Sequence, residues 1–389
     1  MDTLYEPGTA QLHVARNAGL SNENSNTTER IPELDGLRGI AILLVIAFHY
    51  INNQLTSTES SLGRLFWKAT SYGWVGVDLF FVLSGFLIGS ILLKHRSSKN
   101  FFTTFYIRRF VRIIPNYYLA VTLFLIICAI PFFNDSIFLT GDNVLPWWSY
   151  YAMVHNIFMG RHNTMGNQAM SVTWSIGIEE QFYIVFPFIV YYIKEKWLPA
   201  LLFTVIVAAC FIRMQYHTWY PTYVLLPSRM DSIAFGILVA YYNRHINLTA
   251  FVRKYFIYFN LVLALDVAVC AFLYLRYDDL FAIKHSLFAL VFSVCLVFAL
   301  TLNDSLYAKI LRNKLLVWIG TLSYSLYLFH YFILGILHYL VGNNKLIIIA
   351  NGRDIMITIA ALIISVLFAW GVFKVFETPM VKLGKRYRY

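Results

Sequence analysis

Residues 113–133 read IIPNYYLAVTLFLIICAIPFF, a run of 21 residues without an acidic or basic side chain. A helix of about 20 apolar residues crosses the hydrocarbon core of a bilayer. Apolar blocks recur along the rest of the chain, for example at residues 40–48, 80–93 and 355–376. The sequence therefore predicts an all-α, polytopic membrane protein.

Composition argues against the other broad classes of protein. Of the 389 residues, 59% are hydrophobic and 13% are charged, against about 25% charged residues in a typical soluble domain. The net charge is +11, but the 31 Lys and Arg residues lie between apolar blocks and form no single basic face for nucleic acid. The four cysteines sit in apolar stretches without CxxC spacing, so we expect neither a metal site nor a disulfide framework.

Ten apolar blocks, each bounded by charged or turn residues, predict a bundle of about ten transmembrane helices. These lie at approximately residues 36–55, 73–93, 113–133, 172–193, 197–213, 224–242, 255–275, 284–302, 315–340 and 355–376. Most Lys and Arg residues fall in the segments on the N-terminal side of the membrane, which predicts that both termini are cytosolic. The aromatic segment 144–159 is too short to span, and we expect it at the headgroup level.

The two ends of the chain differ in composition from the part between them. Residues 1–30 are polar, contain no apolar run that could be a signal peptide, and are predicted to be a disordered cytosolic tail. Residues 31–380 form the predicted transmembrane domain. Residues 381–389 are predicted to be a basic cytosolic C-terminal tail.

Ionisable residues inside the predicted spans are costly in lipid and therefore point to function. His49 lies about 18 Å along the first helix from its cytosolic start, and Glu179 lies roughly 10 Å below the outer end of the fourth helix. By the same count Asp78, Asp231 and His330 also fall in the outer half of the membrane. Ion pairs that only lock helices together are the alternative for the acidic residues, and a hydrogen bond to the backbone is the alternative for His330.

Basic residues mark the opposite, cytosolic side of the predicted bundle. Arg38 and His49 are eleven residues apart, which places both on one face of the first helix. Arg109 and Arg112 are three residues apart and adjacent on a helix surface, where two guanidinium groups can grip phosphate oxygens. Arg108 adds a third guanidinium at this site. Arg38 could instead reach the lipid phosphates, and the other three could instead anchor the topology.

These residues lie in motifs that resemble those of the acyltransferase 3 family, integral-membrane enzymes that often O-acetylate bacterial surface polysaccharides. The resemblance covers residues 32 to 380. The matching segments are PELDGLRG (32–39) with His49, FFVLSGFLI (80–88), RRFVRIIP (108–115), TWSIGIEEQFY (173–183), RMD (229–231) and LSYSLYLFH (322–330).

The resemblance implies a ten-helix bundle in the bacterial inner membrane that moves an acyl group, usually acetyl, from cytosolic acyl-coenzyme A to a hydroxyl outside. Larger members of the family carry an extra C-terminal hydrolase-like domain outside the membrane, and we expect any such accessory acyl-handling domain to be a separate protein here. The expected acceptor is a carbohydrate such as an O-antigen, an exopolysaccharide or an oligosaccharide. His49 and Glu179 are the expected catalytic residues, and Arg38, Arg108, Arg109 and Arg112 would hold the coenzyme. The supporting residues would be Asp78, Ser84, Trp174, Glu180, Arg229, Asp231 and His330.

The chemistry that fits these residues is general-base catalysis. A neutral His49 can take the proton of the acceptor hydroxyl at pH 7, and Glu179 could orient and stabilise the resulting imidazolium. A covalent acyl-histidine intermediate remains an alternative route. The opposing class of function is a transporter whose buried charges form a proton or substrate pathway.

Overall fold

The computed structural model describes residues 31–55, 61–140, 145–276, 281–342 and 346–389, and all regular elements in these ranges are helices. The predicted tail at residues 1–30 lies outside the described residues. The α-helices are α1 Pro32–Ala47, α2 Ser61–Thr70, α3 Gly76–His95, α4 Phe101–Cys128, α5 Ile137–Thr140, α6 Trp147–Tyr151, α7 His155–His162, α8 Gln168–Ser171, α9 Trp174–Tyr192, α10 Leu198–Met214, α11 Trp219–Val224, α12 Leu226–His245, α13 Leu248–Lys254, α14 Phe256–Arg276, α15 Phe281–Thr301, α16 Leu306–Leu311, α17 Lys314–Gly342, α18 Gly352–Val372 and α19 Thr378–Gly384. Wider π turns continue α1 over Phe48–Asn52 and α18 over Phe373–Glu377.

Each of the ten predicted spans coincides with one long helix: α1, α3, α4, α9, α10, α12, α14, α15, α17 and α18. In the described part of the chain, eight helices are long and apolar enough to cross a membrane, and a ninth span results if the bent pair Leu248–Lys254 and Phe256–Phe272 counts as one. The remaining helix, α9, contains Glu179, Glu180 and Gln181, which lower its hydropathy. The protein is thus a multi-pass membrane protein with eight or nine apolar spans, and the predicted count of ten is not confirmed.

The largest boundary error concerns the third predicted span, because α4 begins at Phe101 rather than near residue 113. The arginine-rich segment 108–112 is therefore helical and continuous with the apolar part of the span. Arginine is a good helix former, so basic residues do not end a helix. The aromatic segment predicted at the headgroup level forms α6 and α7. Trp147 is 63% exposed there, whereas Tyr150 is 2% exposed and belongs to the core.

Helices α3 and α12 approach closely because glycines lie at their crossing. A Cβ atom on Gly85 would collide with the backbone carbonyl of Ile233, and one on Gly236 would collide with that of Val82. Small residues of this kind let membrane helices pack backbone to backbone. This contact brings Asp78 near the start of α3 next to Arg229 near the start of α12.

A second close crossing joins α1 to α17. A Cβ atom on Gly320 would collide with the carbonyl of Asp35 and approach the backbone nitrogen of Gly39. His49 lies ten residues after Gly39, and His330 lies ten residues after Gly320. Ten residues advance a helix by about 15 Å. Because the two helices run in the same direction, the crossing brings the two histidines side by side.

Candidate active site

Three of the predicted arginines line one cavity, here called the arginine cavity. Its volume is about 130 Å³, and Arg38, Arg109 and Arg112 lie in its wall together with a single acidic residue, Glu179. Arg38 also forms an ion pair with Asp35, with Nη1 3.0 Å from Oδ1. Within the described lining, positive charge thus exceeds negative charge, which favours an anionic ligand. The cavity itself is narrow and suits a slender group rather than a nucleotide.

Arg108 lies next to these arginines in sequence but turns away from them. Its Nε donates to the carbonyl of Tyr387 at 2.9 Å, and its guanidinium lies 5.1 Å from the centre of the Tyr389 ring. Burial raises the pKa of the Tyr389 phenol, so the ring meets Arg108 as a neutral aromatic group. The structure therefore places Arg108 against the C-terminal residues, outside the arginine cavity where it was expected.

Glu179 lies in the arginine cavity beside Ser84 and Tyr183, whose hydroxyl groups are hydrogen-bonded to each other. Arg109 and Arg112 line the same cavity as its carboxyl group. Glu180, its neighbour on α9, does not line the cavity, and its Oε1 is buried without a hydrogen-bond partner among the described residues. The structure therefore brings the predicted residues Ser84 and Glu179 together with three arginines and leaves Glu180 outside the cavity.

His49 lines a second, larger cavity of about 510 Å³, here called the aromatic cavity. Eight of its 20 described lining residues are Phe, Trp or Tyr, and no described lining residue is acidic. Trp67 enters the wall from α2, which is fastened to the π turn by a hydrogen bond from Asn52 Nδ2 to the Trp67 carbonyl at 2.8 Å. The polar groups in the wall include Asn53, Gln168 and Ser171. Aromatic faces with a few polar groups are the features of a small-molecule binding site.

His49 and His330 are directly hydrogen-bonded, with Nδ1 of His49 2.9 Å from Nε2 of His330. The wide π turn that carries His49 is a feature often found at functional sites. Tyr331 stacks on the His49 ring, with centroids 4.5 Å apart at an interplanar angle of 24°. Tyr50, the residue after His49, donates its hydroxyl to the His330 carbonyl at 2.7 Å. These contacts hold both rings in fixed positions.

The expected partnership between His49 and Glu179 is wrong in its geometry. The two side chains line different cavities, and the Nδ1 of His49 is occupied by His330. Counting residues along each helix placed them at a similar depth, but depth does not determine which neighbour a side chain faces. The involvement of Glu179 in catalysis therefore stays a prediction, without the triad-like contact to His49.

The two cavities share two described lining residues, Val77 and Tyr327. Val77 is 5% exposed and lies next to Asp78 in the first turn of α3. The Tyr327 hydroxyl is held by the carbonyl of Val172 and by Ser175 Oγ, both at 2.8 Å. These two side chains form the partition between the arginine cavity and the aromatic cavity.

Asp78, Arg229 and Asp231 belong to buried ion pairs that join helices. Arg229 Nη2 lies 2.8 Å from Asp78 Oδ1, and both side chains are 0% exposed. Arg213 Nη2 lies 2.9 Å from Asp231 Oδ2, again with both side chains 0% exposed. The helix-locking alternative thus describes both acidic residues. Asp231 lines neither cavity, whereas the pair of Asp78 and Arg229 lies behind the aromatic cavity.

Trp174 links this pair to the aromatic cavity. It lines the cavity, and its ring centre lies 5.6 Å from the guanidinium carbon of Arg229. Phe81 and Tyr223 also face this guanidinium, at 5.6 and 5.2 Å. A cation surrounded by aromatic faces fixes the position of each ring. Trp174, one of the predicted supporting residues, thus lies in the wall of the aromatic cavity together with Tyr223, which was not predicted.

Sequence reasoning missed several residues of the site. Tyr183 and Tyr327 lie inside the motifs that were noted, but tyrosine is common in membrane helices and gives no signal alone. His285 was detectable, because it lies within a predicted span as His330 does. It accepts a hydrogen bond from Arg229 and lines the aromatic cavity. Within the described chain, no group of three or more His, Cys, Asp or Glu residues is arranged to hold a metal ion.

Comparison with known proteins gives one family and several curated relatives. The family described as Acyltransferase domain matches residues 31–374. The chain is 30% identical to the peptidoglycan O-acetyltransferase OatA of Listeria monocytogenes, over 77% of this chain and 49% of that protein. It is 28% identical to a putative O-acetyltransferase of Staphylococcus aureus strain COL, over 91% of this chain and 58% of that protein. The chain thus spans about half the length of the curated relatives it matches. No solved structure matches.

Proposed function

The chain belongs to the acyltransferase 3 family, and from that premise we propose that it is a membrane O-acetyltransferase acting on a carbohydrate hydroxyl. The single observation that carries this proposal is the position of His49. Its ring lies in the wall of a cavity suited to a sugar, and Val77 and Tyr327 line both that cavity and the neighbouring cavity with three arginines.

We assign the donor, acetyl-coenzyme A, to the arginine cavity. Its diphosphate and 3′-phosphate are anions, and arginine binds phosphate oxygens through paired hydrogen bonds. The nucleotide would stay at the membrane surface near Arg109 and Arg112, while the thin, uncharged pantetheine arm enters the cavity. The positive-inside rule places this surface in the cytosol, which makes the bacterial cytoplasmic membrane the expected location.

We assign the acceptor to the aromatic cavity. Trp67, Trp74 and Trp219 line it, and an indole ring can pack against the C–H face of a sugar, while Asn53 and Gln168 can bond to the sugar hydroxyl groups. The relatives named above include a peptidoglycan O-acetyltransferase, which makes a cell-wall glycan the first acceptor to test. O-antigen and exopolysaccharide oligosaccharides are the next candidates.

The reaction can be written with this chain's residues in stated roles. Nε2 of His49 accepts the proton of the acceptor hydroxyl as its oxygen attacks the acetyl carbonyl carbon. The carbon–sulfur bond of the thioester then breaks, and the imidazolium returns the proton to the departing thiolate. The products are the acetyl ester of the sugar and free coenzyme A. A covalent route would instead place the acetyl group on His49 first.

The direct test uses purified protein in vesicles with labelled acetyl-coenzyme A on one side and oligosaccharides on the other. We expect free coenzyme A thiol and acetylated oligosaccharide to appear in equal amounts. Movement of a sugar or a proton without thiol release would contradict the proposal and favour the transporter alternative. The buried ion pairs already weigh against that alternative, since Asp78 and Asp231 are each bound to an arginine.

Removing two guanidinium groups tests the donor site. We expect the double substitution Arg109→Ala and Arg112→Ala to raise the KM for acetyl-coenzyme A by about 10²-fold or more, because each charged hydrogen bond contributes about 1.5–3 kcal/mol and about 1.4 kcal/mol corresponds to a factor of ten. Steady-state kinetics of thiol release measures this. The matched control is Arg253→Ala with Lys254→Ala, which removes two exposed cations from α13. An unchanged KM in the first variant would leave Arg109 and Arg112 as topology anchors only.

Substitution of Val77 tests the partition. We expect Val77→Phe to reduce acetyl transfer by about 10²-fold, because the thioester no longer reaches His49 in a reactive geometry. The Kd for acetyl-coenzyme A should change less than the transfer rate does, because its phosphates bind at Arg109 and Arg112 rather than at Val77. Val77→Ala should instead raise the rate with butyryl-coenzyme A relative to acetyl-coenzyme A. Val267→Phe, at a half-exposed site on α14, is the control. Equal transfer by wild type and Val77→Phe would show that the acyl group takes another path.

A further inference from the structure

The buried ring of His330 has a defined tautomer. Its Nδ1 lies 2.8 Å from the carbonyl oxygen of Tyr327 and 3.0 Å from that of Leu326. Carbonyl oxygens only accept hydrogen bonds, so Nδ1 carries the proton. His330 is 0% exposed, and its contacts within the described chain include no carboxylate, which favours the neutral ring. In a neutral imidazole with a protonated Nδ1, the other nitrogen is an acceptor.

The tautomer of His330 determines that of His49. Since Nε2 of His330 carries no proton, the 2.9 Å contact between the rings requires Nδ1 of His49 to donate. A neutral His49 then has its free lone pair on Nε2. This is the arrangement that a general base needs, because the free nitrogen belongs to a ring in the wall of the aromatic cavity.

We propose that His330 is a positioning residue, which selects the Nδ1–H tautomer of His49 and holds its ring so that Nε2 serves as the base. The inference rests on the proposed acyl transfer and adds a residue role to it. When His49 gains a proton during the reaction, its Nδ1–H continues to donate to His330. A neutral imidazole, itself oriented by two carbonyl oxygens, thus takes the place that a carboxylate has in a serine-protease triad.

A neutral partner suits this location. A carboxylate next to His49 would be a buried charge whenever His49 is neutral, and such a charge is costly in a membrane. The helix supplies the orienting carbonyls itself, since Leu326 and Tyr327 lie one turn before His330. The Tyr50 hydroxyl donates to the His330 carbonyl and also lies 2.9 Å from Ser365 Oγ. Tyr50 thus connects this turn to α1 and α18.

Two substitutions of His330 separate orientation from packing. His330→Leu fills the space but offers no acceptor to His49, whereas His330→Gln offers a side-chain carbonyl in the place of Nε2. We expect His330→Leu to lower kcat by about 10²- to 10³-fold, within the range for general-base catalysis, while the KM for acetyl-coenzyme A stays unchanged. The kcat of His330→Gln should be at least about tenfold higher than that of His330→Leu. Equal activity of the two variants would contradict the orienting role.

The control is His338→Leu, on the same helix eight residues further on. His338 is also 0% exposed, and its Nε2 lies 2.9 Å from Thr358 Oγ1, but it lines neither cavity. A loss of kcat in His338→Leu as large as that in His330→Leu would mean that helix packing, rather than the hydrogen bond to His49, explains the effect.

Nitrogen NMR of ¹⁵N-histidine-labelled protein tests the tautomers without any acceptor. We expect wild-type His49 to show a protonated Nδ1 and an unprotonated Nε2, with the signals identified by their loss in His49→Gln. In His330→Leu the Nε2–H tautomer of His49 should gain population. An Nε2–H tautomer or a cationic ring for His49 in the wild type would overturn the inference. If acetyl transfer fails but the tautomers are as stated, the proposed function is wrong and the pairing stands.

Discussion

His49→Ala is expected to lower acetyl transfer by at least about 10³-fold, because a general base contributes up to about 10⁴-fold to the rate and no described residue of the aromatic cavity is a carboxylate that could replace it. The Kd for acetyl-coenzyme A should change by less than about twofold, since His49 lies outside the arginine cavity. Transfer is measured with labelled acetyl-coenzyme A in vesicles, and binding by calorimetry on the purified protein.

The control for His49→Ala is His338→Ala, which removes another buried imidazole from a site outside both cavities. Wild-type turnover in His49→Ala would remove this residue from the mechanism. If His49→Ala loses both turnover and binding of acetyl-coenzyme A, the variant is misfolded.

A second experiment, on the wild-type protein without acceptor, distinguishes direct attack by the hydroxyl from transfer through an acetyl-histidine. If the acetyl group passes through His49, wild-type protein incubated with acetyl-coenzyme A and no acceptor should accumulate a peptide that contains His49 and is heavier by one acetyl group. With direct attack by the hydroxyl, this peptide keeps its mass and thiol release waits for the acceptor. Rapid quenching followed by peptide mass spectrometry reads the difference.

The helices could be predicted from the sequence because apolar blocks of bilayer length leave few alternatives. All ten blocks coincide with a long helix. The bounds of the third predicted span enclosed only its apolar block, whereas α4 begins at Phe101 and includes Arg109 and Arg112, which line the arginine cavity. The number of spans was not predictable, because a helix such as α9 carries two glutamates whose environment depends on its neighbours.

Residue partners were harder to predict than residue depth. Counting along the helices predicted a similar depth for His49, Glu179 and His330, but the partner of His49 depends on which helix lies beside α1. The glycines at positions 39 and 320 contained that information, since each precedes its histidine by ten residues. A parallel crossing at these glycines could have been proposed from the sequence. The pairing of Arg213 with Asp231 had no comparable signal.

The buried pair of Asp78 and Arg229 should have the largest effect on stability. We expect Arg229→Met to lower the free energy of unfolding by about 3–5 kcal/mol, because Asp78 would remain as an unpaired buried charge. Ser232 Oγ, 2.9 Å from Asp78 Oδ1, supplies a hydrogen bond but no charge. His285 Nδ1 is 3.6 Å from Oδ2. Reversible unfolding in mixed micelles measures the change.

Replacing both partners separates the pair itself from the cost of breaking it. Asp78→Leu combined with Arg229→Met should recover most of the lost stability, because an apolar pair of similar volume carries no desolvation cost. The control is Arg244→Ala, which breaks an exposed pair with Glu195 at 3.5 Å and should cost at most about 1 kcal/mol. A double variant no more stable than Arg229→Met would show that the guanidinium stabilises the fold through its aromatic contacts instead.

Function should respond differently from stability in these variants. The Arg229 guanidinium faces Trp174 and Tyr223, which form part of the aromatic cavity. Even where the double variant is stable, both rings lose the cation that fixes their position, so the KM for the acceptor should rise. The KM for acetyl-coenzyme A should not change, because Arg109 and Arg112 are untouched. An increase in the donor KM alone would place the acceptor outside the aromatic cavity.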